Sequence, residues 1–159
     1  MVNVELNKQL RELHRLIDNT KAATAADLEL QAHWARYICV RSSGFLENAI
    51  EEIFGAFVRG AASQPVVNFA TRALGRVQNP KAGRFIEIAE SFKPSWKAGL
   101  EGFLQDDGRD EAINSIMTNR HKIAHGEDSD ITMARVIQYL NKSVKVLEFI
   151  EQQCLGNVP

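Results

Sequence analysis

The sequence is poor in the features that mark secreted, fibrous and membrane-spanning chains. Two cysteines occur in 159 residues, Cys39 and Cys154, far apart and without a CxxC pair. That excludes a disulfide scaffold and points to a reduced, intracellular chain. Four prolines and ten glycines are too few for a collagenous or low-complexity segment. No Gly/Ser/Pro-rich linker and no internal repeat divides the sequence, so one domain over residues 1–159 is expected. Apolar runs are short, such as Ile53 to Val58, whereas a helix crossing a bilayer needs about 20 such residues. The opening stretch MVNVELNKQLRELH lacks the apolar core of a secretory signal. The expected setting is the cytoplasm, with no membrane partner. Nor does one sign of charge dominate: 19 basic residues face 20 acidic ones, a formal net charge of −1. Binding of nucleic acid by bulk positive charge is thereby excluded, and any such contact must come from a local patch.

What is present is an ordinary globular mixture, 45% hydrophobic and 25% charged, on a chain long enough to bury its own core. Its periodicity is helical. Leu6, Leu10, Leu13 and Ile17 recur at steps of four and three, one face of a first helix. Thr24-Ala25-Ala26-Asp27 has the spacing of a capping box, with Asp in place of Glu. It predicts a long second helix reaching Ala61, with a bend at Ser42-Ser43-Gly44. Pro65, Pro80 and Pro94 each stand at or near the first turn of a short helix. Asp107-Gly108-Arg109-Asp110 resembles an N-cap for a helix that passes Ile113, Ile116, Met117 and Ile123 and stops at Gly126. Met133, Val136, Leu140, Leu147 and Ile150 line a final helix. No stretch alternates like a strand. The fold class is all-α, an antiparallel bundle of about five to seven helices with one long early helix.

The chemistry concentrates in Asn119-Arg120-His121-Lys122-Ile123-Ala124-His125-Gly126. On a helical wheel with Ile113 at zero and steps of about 100°, Arg120 falls near 340°, inside the apolar stripe. His121 and His125 fall near 80° and 120°, one turn apart on its flank, and Lys122 near 180° points away. A guanidinium keeps its charge, so on an apolar face it must be paired or solvated. One reading is a structural salt bridge, with Glu47 as a candidate partner. The other is functional: Arg beside His can hold a phosphate while protons move. A metal is a weaker reading. His121 and His125 have the zincin spacing, but a zincin needs HExxH with Glu as base, and Lys122 stands in that position. No third ligand is apparent, and neither metal nor cofactor is expected.

The string Arg120-His121-Lys122-Ile123-Ala124-His125-Gly126 resembles the signature of the HEPN superfamily: Arg, a polar residue, three further positions, then His. His121 fills the polar position, and Phe45-Leu46-Glu47 lies on a long early helix as in those domains. The resemblance is nearest to the RiboL-PSP and related prokaryotic HEPN groups. It implies a metal-independent endoribonuclease, acting as a toxin or antiviral defence effector. It also implies a homodimer whose motifs meet, and a cognate antitoxin or defence-system partner. Arg120, His125 and His121 are then the expected catalytic residues, with Glu47 and Asn119 in support. The alternative is a non-catalytic RNA-binding or assembly module, of the kind in which the Arg or His has usually been lost; here both are retained.

The residue types suit RNA cleavage. RNA carries its own nucleophile, the 2′-hydroxyl. A base must accept its proton, an acid must protonate the leaving 5′-oxygen, and a cation must offset charge on the phosphorane. Two further stretches remain open. Residues 63–100 hold six cations against Glu87 and Glu90, with Phe69, Phe85, Phe92 and Trp96 among them. They read as an RNA platform or as core aromatics beneath a solvated basic face. Glu127, Asp128 and Asp130 follow the motif directly. They either complement the N-terminal dipole of the last helix or hold an arginine in an uninhibited or partner-bound state.

Overall fold

The computed structural model describes residues 1–158. The chain is all-α, with no strand among the described residues. Seven α-helices are described: α1 (Val4–Ala23), α2 (Leu28–Ala61), α3 (Gln64–Leu74), α4 (Ala82–Phe92), α5 (Trp96–Gln105), α6 (Arg109–Ala124) and α7 (Met133–Cys154). A single 3-10 turn, Asp106–Gly108, precedes α6.

The centre is a three-helix stack of α2, α6 and α7, with α1 and α3 laid on α2 and α5 against α6 and α7. α2 and α6 run antiparallel: Cys39 donates to the Ile116 carbonyl, while Arg36, three residues earlier, reaches Ser129 beyond the other end of α6. Leu46, Ile50, Phe54, Ile113, Ile116, Met117 and Leu140 are fully buried where these helices meet. Each such side chain contributes roughly 1.5–3 kcal/mol on removal from water. The apolar face of α6 is set by this packing, so the orientation of its last turns is set too.

Several local expectations need correction. Thr24 does not cap α2. Its hydroxyl donates back to the Thr20 carbonyl at the end of α1, and Asp27 caps α2 by accepting from the Leu30 N–H. An aspartate one residue before the helix outcompetes a threonine buried against the preceding one. At Ser42-Ser43-Gly44, the place named for a bend, α2 remains one continuous helix. Both serine hydroxyls are satisfied on the preceding turn, by the Ile38 and Val40 carbonyls. At the entry to α6, Asp107 and Gly108 both take left-handed backbone angles, φ 56° and 60°. Gly108, not Asp107, occupies the cap position. Lys142 of α7 secures the aspartate there, donating to its carbonyl oxygen and pairing with its carboxylate. The three proline signals do fall at helix starts: Pro65 within the first turn of α3, Pro80 and Pro94 just before α4 and α5.

Candidate functional site

The site grows from how α6 ends. His125 is the C-cap residue and Gly126 follows it with φ 72°. The Gly126 N–H donates to the Ile123 carbonyl and the Glu127 N–H to the Lys122 carbonyl, the paired bonds of a Schellman motif. A residue with a Cβ is strained at that backbone angle, so the glycine defines where the helix stops. Burial falls off along the helix toward that end, although Ile123 still packs against the core. Ile113, Ile116 and Met117 are buried, Arg120 is half-buried, and His121, Lys122 and His125 are exposed.

His121 and His125 are brought together. Their ring centroids lie 4.4 Å apart at an interplanar angle of 52°, both open to solvent. Arg120 leaves the helix on the neighbouring ridge, over the end of the apolar stripe. Its backbone faces the buried Cys39 thiol across the α2–α6 contact. Burial pushes that thiol up to about 12, a shift the Arg120 backbone contact only partly opposes, so Cys39 is a packing group and no nucleophile. Among the described residues no carboxylate forms an ion pair with the Arg120 guanidinium. The structural arginine of α6 is instead Arg109 at its opposite end. That residue is buried, paired to Asp106 at 2.8 Å and stacked 4.1 Å from the centre of the Phe103 ring.

Glu47 is not at the motif, and the expectation of a supporting role beside Arg120 is corrected. Its carboxylate accepts from the Asn79 backbone N–H, holding a residue with φ 50° in the turn before α4. The reason is spacing: α2 meets Arg120 at Cys39, and Glu47 lies eight residues farther on, about 12 Å along the axis. Asn119 does stand beside the motif, as a tether. Its amide donates to the Ser115 carbonyl at 2.8 Å, and its side-chain oxygen accepts from the Ser129 hydroxyl at 2.8 Å. Ser129 is buried, and its carbonyl accepts from Arg36 Nε at 3.2 Å. The loop after the motif is thus bound both to α6 and to α2. Arg36 and Ser129 carry no sequence signal for this task, because their contact joins positions 93 residues apart. Glu127, Asp128 and Asp130 are exposed, and Thr132 is the residue that caps α7.

Among the described residues no three His, Cys, Asp or Glu side chains form a group able to hold a metal ion. No described helix is long and apolar enough to cross a membrane. The last turns of α6 therefore carry a cation without a carboxylate partner and two adjacent, accessible imidazoles, on a helix end closed by a Schellman turn and tied through the buried Ser129. The family model of RiboL-PSP-HEPN matches residues 4–156. No curated protein and no solved structure matches the chain.

Proposed function

The chain belongs to the RiboL-PSP-HEPN family, and from that membership together with the α6 terminus we propose that it is a single-domain, metal-independent endoribonuclease serving as a toxin or antiviral defence effector. The observation that carries the reading is the pair of exposed imidazoles at 4.4 Å beside an arginine without a carboxylate partner.

In the proposed reaction Arg120 holds the scissile phosphate and offsets the charge that builds on the phosphorane. One imidazole accepts the 2′-hydroxyl proton as the 2′-oxygen bonds to phosphorus. Another donates a proton to the 5′-oxygen as its bond to phosphorus breaks. The products are a 2′,3′-cyclic phosphate and a free 5′-hydroxyl. His125 is the principal acid or base, and His121 shares proton transfer or orients the phosphate. In a homodimer joined over the Arg120 face, each site sees both copies of the pair, so the two proton roles fall to different subunits. A cognate antitoxin or defence-system partner would then act by covering that face.

Labelled RNA incubated with wild type and with His125→Ala, both with EDTA, tests the reading. Cleavage by wild type alone is expected, and substrate with a 2′-deoxy sugar at the cleavage site should resist. A requirement for Mg²⁺, or equal cutting of the deoxy substrate, would sink the mechanism. The exposed carboxylates of Glu127, Asp128 and Asp130 beside the motif repel RNA there and favour a second reading, a non-catalytic protein-assembly module. Wild type that neither cuts nor binds RNA would support that reading instead.

A further inference from the structure

The ends of α2 and α7 enclose a cavity that the motif does not use. It holds about 470 Å³, within the range of small-molecule sites, roughly 300–1,000 Å³. Its walls are apolar: Ile53, Ala56, Phe57 and Gly60 from the last turns of α2, Leu155 after α7, and Val2 before α1. Room exists because α2 presents small residues here. Gly60 lines the cavity, and a Cβ at that position would meet nothing within 4 Å. From Cys39, where α2 passes Arg120, to Ile53 is about 21 Å along the helix. The cavity is therefore separate from the α6 terminus.

One carboxylate lines this apolar space. Glu151 is 7% exposed. Its two oxygens accept from the Val2 N–H at 2.6 Å and the Asn3 N–H at 2.7 Å. Both donors are neutral, and each oxygen keeps a further lone pair. Glu151 forms no ion pair among the described residues, and the Met1 ammonium is turned to Glu148, at 2.9 Å. No Lys, Arg or His lines the cavity. The Cys154 thiol, half-buried in the same wall, is pushed up to about 12, first by burial and then by the charge of Glu151. It stays neutral, so the lining carries negative charge and no positive charge. A carboxylate in such a place is stabilised by any cation that joins it. An anionic ligand would meet Glu151 with nothing to pair its own charge. A neutral hydrocarbon would use the walls alone. An organic cation uses the walls and the carboxylate together, and the Phe57 ring offers a face that attracts an ammonium.

We propose that this cavity is a binding site for a small organic cation with an apolar body, its hydrocarbon part against Ile53, Ala56 and Leu155 and its ammonium beside Glu151. The site stands independently of the reading of the motif as a ribonuclease.

Octylamine, octanol and octanoate test it on the full chain, because they share one hydrocarbon chain and differ in the charge of the head. Titration calorimetry below their aggregation concentrations should show a single octylamine site, about tenfold tighter than octanol, with octanoate weakest. Glu151→Gln keeps the shape of the side chain and should bring octylamine down to the level of octanol while leaving octanol unchanged. Gly60→Leu should fill the cavity and abolish binding of both. Leucine is the better helix former, so that variant should keep its melting temperature. Should Glu151→Gln fail to fold, the order of the three probes on wild type and their loss in Gly60→Leu still decide the matter. Octylamine should also slow alkylation of Cys154 by N-ethylmaleimide, with the buried Cys39 as the unreactive control. Octylamine binding weaker than about 1 mM would overturn the site. Octanol or octanoate binding as tightly as octylamine would overturn the cation assignment. Many weak sites that persist in Gly60→Leu, the behaviour of an amphiphile on a surface, would overturn the cavity as their location.

Discussion

At the scale of single residues, the contrast between Arg109 and Arg120 separates structure from function on one helix. Arg109 has a carboxylate, two carbonyls and an aromatic face, and its removal would leave those groups stranded. Arg120 has no carboxylate within reach among the described residues, so its replacement forfeits little folding energy. Arg120→Ala and His125→Ala should therefore each cut RNA cleavage by about 10²–10⁴, the usual cost of a positioned group, with melting temperature nearly unchanged. His121→Ala should cost less, and Lys122→Ala, on the far side of the helix, least. Initial rates on one labelled RNA, with thermal melts alongside, would check all four. A collapse of the fold in Arg120→Ala would assign that side chain to structure.

Elements decide how well the motif is held. Gly126→Ala places a Cβ on a left-handed residue and should destabilise the chain by about 1–2 kcal/mol. Ser129→Ala removes the hydroxyl that ties the loop to Asn119 and should cost about 1 kcal/mol. If the tether positions His125, Ser129→Ala should also slow cleavage with KM little changed, at a temperature where the chain is fully folded. Loss of stability with full activity would show the tether to be structural only. The entry to α6 makes a separate, pH-dependent prediction. Hydrogen bonding and charge attraction from Lys142 hold the Asp107 carboxyl below the usual carboxylate range. A carboxyl depressed in the folded state adds stability above its unfolded pKa of about 3.9, and that stability is lost as the pH falls through the lower folded value. Lys142→Met should thus lower the melting temperature at neutral pH, and the gap to wild type should narrow below about pH 4. A gap that is constant with pH would mean that the Asp107 carbonyl contact, and not the ion pair, is what matters.

For the whole molecule, the exposed imidazole pair and the half-buried arginine sit at an edge of the bundle rather than in an enclosed pocket. A second copy over this edge would supply both the enclosure and the further proton-transfer groups. A homodimer at micromolar concentration is expected by light scattering. Mixing Arg120→Ala with His125→Ala subunits should restore part of the activity if each site draws on both copies. A strict monomer that cleaves RNA at full rate would remove the shared-site reading.

Local patterns in the chain already carried the all-α class, the helix stops and the adjacency of His121 and His125. A helix repeats every 3.6 residues, so steps of three and four place side chains together whatever the rest of the fold does. Gly126 as the end of α6 was legible for the same reason, since a left-handed residue after a helix is a local requirement. Local spacing did not reveal which residues from elsewhere approach the motif. Glu47 looked placed to pair with Arg120, yet the offset between α2 and α6 sends it to the Asn79 turn and brings Cys39 opposite Arg120 instead. Arg36, from the start of α2, ends up holding the loop beyond the motif. That offset is set by how the buried faces of α2, α6 and α7 interlock. It is a property of three helices packed at once, and no periodicity within any one of them encodes it.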